Sequence, residues 1–328
     1  MSSRSWQLNF PTAVAAWAVI VGIAAFAGNR LGFRAWHFAL ALGVAAVLFA
    51  FEFFLAAPPV MNRARSWLGG RAVILAPLVP LFAVLIYTLS VTGNWKMMLL
   101  GAAYAVLPAL VLARSAGKAP GTREDYLAAA LIWLPVGLPV PYRVLYWIFT
   151  YPPPLIHTLT IVMALSTGVA AFVLVRQLDG IGYAIEWRRG FAGKCGWHFL
   201  LFAAIAIPIG LSIGFLAWEP SLGRLEFLPL TALGILFFTA WPEEFLFRGV
   251  LQNLLSRTFK SKWAGLAVAS VIFGFSHVFH APYPNWKYAF LATMAGLFYG
   301  HVWMKTGSLL PGALVHALVD ISWHVLFR

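Results

Sequence analysis

Stretches of about twenty mostly apolar residues recur along the whole chain, and no other feature constrains its fold as much. They lie near 10–27, 35–57, 72–91, 97–113, 126–150, 154–175, 197–218, 227–255, 263–280, 287–304 and 309–327. A helix of that length covers the hydrocarbon core of a bilayer, where every backbone polar group must be satisfied within the segment itself. An aqueous fold is excluded by the amount of apolar material. Of 328 residues, 62% are hydrophobic and 10% charged, with a mean hydropathy of +0.83. Roughly 200 apolar residues exceed what one or two water-facing cores can bury. The expected fold class is therefore an all-α polytopic membrane protein with about 11 transmembrane helices.

The first stretch could be mistaken for a secretory signal, since Arg4 precedes it and Ala25-Phe26-Ala27 resembles a cleavage site. Its apolar run is long for that role, and Arg30 and Arg34 follow closely, so a retained helix is expected. The stretch 126–150 is the weakest span. Pro135, Pro139 and Pro141, then Arg143 and Pro152-Pro153-Pro154, point to a short or broken helix.

A net charge of +13 would suggest nucleic acid in a soluble chain. Here the basic residues sit in the short gaps between apolar stretches, where the cytoplasmic preference of Lys and Arg explains them, and no nucleic-acid partner is expected. Of the 23 Lys and Arg, fifteen fall at the amino terminus and in the even-numbered gaps, seven at the carboxyl end and in the odd-numbered gaps, with Arg143 and Lys287 counted to the gaps they border, and Arg248 lies deep inside a span. This asymmetry puts the amino terminus and loop 176–196 in the cytoplasm and Arg328 outside. That polar loop also separates six amino-terminal spans (1–175) of undetermined role from five carboxyl-terminal ones (176–328). Cys195 is the single cysteine, so no disulfide can form within the chain.

Ionisable groups at membrane depth are concentrated after the boundary. Glu243, Glu244, Arg248, His277, His280, His301, His316, Asp320 and His324 fall within 82 residues. Each charge in hydrocarbon costs at least about 2.5–3.5 kcal/mol, so such a cluster must be paired, hydrated or functional. Helical spacing sorts them. Glu244 and Arg248, four apart, share a face and can neutralise each other. Glu243 is rotated by about 100° from Glu244 and is left for another partner. Pro242 removes a backbone donor just before both carboxylates. His316, Asp320 and His324 form one stripe at four-residue spacing, as do Phe273 and His277, with Gly274 allowing a neighbouring helix close. His280, His301 and His324 read as bystanders, and Trp263, Trp286 and Tyr288 as residues of the interfacial belt.

Three segments, in order and on separate spans, carry a family resemblance. Glu243-Glu244-Phe245-Leu246-Phe247-Arg248 matches an EExxxR signature, Phe273 to His277 an FxxxH, and His316 to Asp320 an HxxxN/D. The chain thus resembles the CPBP family of intramembrane proteases, which includes the CAAX prenyl endopeptidases and bacterial bacteriocin-processing and immunity proteins. The resemblance implies a catalytic bundle in the carboxyl-terminal half, a peptide hydrolase activity and a multi-pass protein of a bacterial inner membrane. Its partners would be membrane lipid and a membrane-associated or lipidated peptide or protein substrate. By position it implicates Glu243, His277, His316 and Asp320 in catalysis, with Glu244 and Arg248 supporting.

Glu243 would activate water, His277 would hold that water, and His316, steered by Asp320, would stabilise the oxyanion. Two metal readings follow: a divalent ion such as zinc would use Glu243, His277, His316 and Asp320 as its ligand set, and a metal-free route uses the same atoms. At position 320 the prenyl endopeptidases carry Asn. An amide can donate to an oxyanion and an ionised carboxylate cannot, so Asp320 is protonated, binds metal or orients His316. Two other classes use similar residues, a transporter or proton relay and a non-catalytic immunity or scaffold protein.

Overall fold

The computed structural model describes residues 5–30, 33, 36–138 and 143–327, without the side chains of Pro154 and Leu222. Arg4, Arg34, Pro139, Pro141 and Arg328, which entered the reading of spans and orientation, lie outside the described residues. The chain divides into two compact units, Gln7–Asp179 and Gly180–Arg328, the second joined by Met1–Trp6.

The first unit contains α1 (Phe10–Arg30), α2 (Trp36–Leu55), α3 (Pro58–Leu75), α4 (Leu78–Thr92), α5 (Trp95–Ala113), α6 (Arg123–Gly137), α7 (Val144–Ile148) and α8 (Ile156–Val175). Helix α2 packs against α1, α4 and α8. Its Glu52 is buried, and the Ser166 hydroxyl of α8 is shared between that carboxylate (3.3 Å) and the Leu48 carbonyl (3.1 Å). A capping box starts α6: Thr122 and Asp125 each bond the other's backbone amide. Asp125 also takes the Arg176 guanidinium at 2.7 Å. Burial disfavours the Asp125 charge, but Arg176 and the amides of Thr122 and Gly121 more than offset it and hold the carboxyl below its ordinary range.

The second unit contains α9 (Phe191–Ser212), α10 (Leu228–Thr258), α11 (Lys262–Ser276), α12 (Trp286–Thr306) and α13 (Leu309–Leu326). Helices α11 and α12 form the most extensive pairing, and α12 and α13 each pack against α9. The chain leading into α9 is pinned to the α12–α13 turn. The Trp303 indole donates to the Ile181 carbonyl (3.1 Å), and the Leu309 amide donates to the Gly182 carbonyl (2.9 Å). Gly182 has φ +75°, and a Cβ there would lie 2.5 Å from the Gly307 carbonyl, so both backbone conformation and close approach require glycine.

Among the described residues, seven helices are long and apolar enough to cross a membrane, or eight if α3 and α4, bent by 47°, make one span. Eleven were expected, and prolines account for part of the difference. Pro77 stands between α3 and α4, so the expected span 72–91 is divided between them. In 126–150, α6 stops at Gly137 after Pro135, and the next described helix, α7, has five residues. The expected span 263–280 corresponds to a fifteen-residue helix, because α11 stops at Ser276.

Close packing of α11 on α12 requires a glycine. A Cβ on Gly274 would lie 2.5 Å from the Ala289 carbonyl oxygen and would meet the Thr293 hydroxyl as well. Gly274→Ala is expected to lower stability by at least about 1–3 kcal/mol, the usual cost of overpacking. Gly43→Ala, in α2 with nothing within 4 Å of its added Cβ, is expected to be neutral or slightly stabilising. Thermal unfolding of the purified protein in detergent checks both.

Candidate active site

Helix α10 carries the EExxxR segment and is not a regular α-helix there. Pro242 has no N–H for the carbonyl of Phe238, and the helix widens into π turns over Leu236–Ala240 and again over Phe245–Gln252. Between them, Trp241–Glu244 keeps α-helical pairing. The two adjacent carboxylates point to different surroundings. Glu244 is fully buried, whereas the Glu243 side chain is 31% accessible.

Glu244 holds two partners through one oxygen. Its Oε1 lies 3.0 Å from Arg248 Nη1 and 3.0 Å from His316 Nδ1. Its other oxygen, Oε2, makes no hydrogen bond among the described residues. An ionised carboxylate only accepts, so Nδ1 of His316 carries the donated hydrogen and a neutral imidazole presents a bare Nε2. That Nε2 faces the other two carboxylates: Glu243 Oε2 at 3.8 Å and Asp320 Oδ2 at 3.6 Å. Both separations exceed a hydrogen bond. Glu243 Oε2 itself makes no hydrogen bond among the described residues.

Aromatic rings fix the positions of the charges. The Tyr299 ring stacks on His316 (centroids 4.5 Å apart, planes 17°), and the Arg248 guanidinium carbon lies 4.3 Å from the Phe273 centroid and 5.2 Å from that of Tyr299. Arg248 also donates to the Gly296 carbonyl at 3.4 Å. Such cation–π contacts replace part of the hydration that a buried guanidinium loses.

His277 sits just past the end of α11. Its Nδ1 donates to the Phe273 carbonyl (2.8 Å), which leaves Nε2 as its free ring nitrogen. No hydrogen bond or ion pair among the described residues joins His277 to Glu243, His316 or Asp320. The Phe273 ring stands between, with centroids 4.7 Å from His277 and 5.8 Å from His316. Of the residues singled out in the sequence, the structure therefore brings Glu243, Glu244, Arg248, His316 and Asp320 into one cluster. His277 is one aromatic ring away.

The three remaining histidines divide. His280 stacks on His277 at 5.5 Å, and His301 pairs with His198 at 2.9 Å, away from the cluster. His324 lines a cavity of about 390 Å³ together with Asp320, Tyr288, Trp323 and Arg224. The Tyr288 ring contacts His277 (4.6 Å) and Trp323 (5.2 Å). Asp320 faces Nε2 of His316, whereas Glu244 holds Nδ1.

Tyr299 and Phe273 as supports of the site were not read from the sequence. One usable signal was the run Ala292, Gly296, Gly300, which marks a close-packed face of α12. A Cβ on Gly296 would lie 3.0 Å from Ser270. Among the described residues, no group of three His, Cys, Asp or Glu side chains is placed to hold a metal ion, so Glu243, His277, His316 and Asp320 do not form a metal site as arranged.

Glu244→Gln removes the charge that Arg248 faces and is expected to destabilise the protein by about 3–5 kcal/mol, the cost of breaking a buried pair. Glu243→Gln, at a carboxylate whose Oε2 makes no hydrogen bond among the described residues, is expected to leave stability nearly unchanged. Yield and melting temperature in detergent distinguish the two.

Comparison with known proteins bears on the same segment. No curated protein and no solved structure matches the chain. The family model described as type II CAAX prenyl endopeptidase Rce1-like matches residues 225–322. That range includes all of the charged cluster and both histidines of the FxxxH and HxxxN/D segments. Over this carboxyl-terminal segment the chain is similar to that family, in keeping with the CPBP resemblance of its three motifs.

Proposed function

We propose that this protein is an intramembrane endopeptidase that hydrolyses a peptide bond of a membrane-associated or lipidated peptide or protein, with water activated by Glu243. The observation that carries this reading is the unequal state of the two neighbouring carboxylates. Glu244 is paired with Arg248 and His316 through Oε1, while Glu243 is partly accessible, makes no hydrogen bond among the described residues through its Oε2 and lies 3.8 Å from His316 Nε2.

A water held between Glu243 and His316 gives a proton to Glu243 as its oxygen attacks the substrate carbonyl carbon. Glu243 then passes that proton to the leaving amine, so the carboxylate is restored at the end of the cycle. Glu244 keeps His316 in one tautomer and one orientation through Nδ1, which leaves Nε2 to accept a hydrogen bond from the attacking water. Asp320, 3.6 Å from Nε2, stabilises any positive charge that develops on the ring. His277, with Nδ1 committed to the backbone, offers Nε2 to water or substrate. The family-model match over residues 225–322, the helices of membrane-spanning length and the adjoining cavity support a substrate that arrives from the membrane.

Glu243→Gln keeps the shape of the side chain but cannot take a proton. It is expected to reduce cleavage of a fluorogenic lipopeptide in proteoliposomes by at least about 10²–10⁴-fold, with protein still inserted and folded. Retained cleavage in this variant, with loss of specific activity in well-folded Glu244→Gln, would reverse the two assignments.

The same reading has the amino terminus and loop 176–196 on the cytoplasmic face of a bacterial inner membrane, an orientation that the Lys and Arg bias of the gaps between apolar stretches supports. Cys195 is buried, so a Cys195→Ala background with Arg189→Cys provides one exposed thiol in that loop. A membrane-impermeant maleimide is expected to label inverted vesicles and not intact cells. The opposite labelling pattern would overturn the orientation.

A further inference from the structure

Hydrolysis of a peptide bond passes through a tetrahedral oxyanion, and the charged cluster is poor in groups that can donate to it. Glu243 accepts the proton of water, an ionised Asp320 can only accept, and the Nδ1 hydrogen of His316 is taken by Glu244. The Nε2 of His316 donates only when the ring is protonated, and then it faces two carboxylates. A neutral donor on the cavity wall is the missing element.

Tyr288 meets that need. It lines the 390 Å³ cavity together with Asp320, and its ring is held against His277 at 4.6 Å, Trp323 at 5.2 Å and Phe215 at 5.3 Å. Its backbone is fixed in the first turn of α12, where the Tyr288 amide donates to the Asn285 side chain at 3.0 Å. The hydroxyl makes no hydrogen bond among the described residues. Tyr288 is thus a rigidly held phenol, with an unengaged O–H, packed on one side against the FxxxH histidine and bordering the cavity that Asp320 lines. Arg224, which also lines the cavity, directs its Nη1 to the chain end, donating to the His324 carbonyl at 2.7 Å and the Phe327 carbonyl at 3.4 Å.

We propose that Tyr288 is a further catalytic residue, whose hydroxyl donates a hydrogen bond to the oxyanion of the tetrahedral intermediate. This rests on the peptide-hydrolysis reading. The phenol keeps its proton throughout; no bond to it forms or breaks, and the proton that reaches the leaving amine is the one carried by Glu243.

Tyr288→Phe preserves the packed ring and removes only the oxygen. In proteoliposomes with a fluorogenic lipopeptide it is expected to lower kcat on the order of 10²–10³-fold, as loss of one oxyanion donor does elsewhere, with KM changed little. A substrate analogue with a tetrahedral phosphinate in place of the scissile bond is expected to bind the variant more weakly by a similar factor, since it carries the charge that the hydroxyl meets. A kcat within tenfold of wild type, a change confined to KM, or undiminished binding of the phosphinate would each overturn the assignment. Glu243→Gln is measured beside it. If that variant is inactive and Tyr288→Phe is fully active, only the donor role fails; if Glu243→Gln is active, the hydrolysis reading itself fails.

Discussion

The arrangement of the second unit depends on one buried negative charge. Glu244 has no exposure, and a carboxylate in that position is tolerable only with its charge compensated and hydrogen-bonded. Four helices meet that requirement together. Helix α10 supplies the carboxylate and Arg248, α11 supplies the Phe273 ring over the guanidinium, α12 supplies Tyr299 and the Gly296 carbonyl, and α13 supplies His316. Small residues let the backbones come close enough. At Gly312 of α13 a Cβ would lie 3.0 Å from Glu244 Oε2, so a larger residue there would press on the charge.

Pairing Glu244 with both Arg248 and His316 separates it functionally from its neighbour. Adjacent positions on a helix differ by about 100°, and a side chain one residue away cannot share the same partners. Glu243 is consequently directed away from Arg248 and towards Nε2 of His316 and Asp320. The imidazole connects the two environments: Nδ1 belongs to the structural pair and Nε2 to the accessible side. A residue held in this way has one orientation and one neutral tautomer, which general acid–base chemistry needs and a mobile histidine does not provide.

The amino-terminal unit, outside the matched segment, handles buried polarity by different means. Glu52 relies on a serine hydroxyl from α8, and Asp125 combines a helix cap with an ion pair to Arg176. Both devices join residues more than fifty positions apart. Each ties distant helices of that unit together, where apolar packing in lipid has little directional preference.

Much of the chemistry is visible in the sequence, because it depends on local spacing and composition. Apolar stretches of membrane length, the four-residue interval between Glu244 and Arg248, and the separation of Glu243 from that pair are consequences of helix geometry alone. The three motifs point to the CPBP family for the same reason: each is a pattern within one helix. The number of spans is less legible, since Pro77 and Pro135 decide where helices bend or stop, and apolar content does not register that. Which residues meet across helices was decided only by tertiary packing. The bond from His316 to Glu244 joins positions 72 apart. The stacking of Tyr299 beneath His316 and the enclosure of Tyr288 between His277 and Trp323 likewise depend on how α11, α12 and α13 are rotated about their axes. That rotation is set by interhelical contacts, many of them at glycines whose neighbours lie on other helices, and helical periodicity carries no information about it.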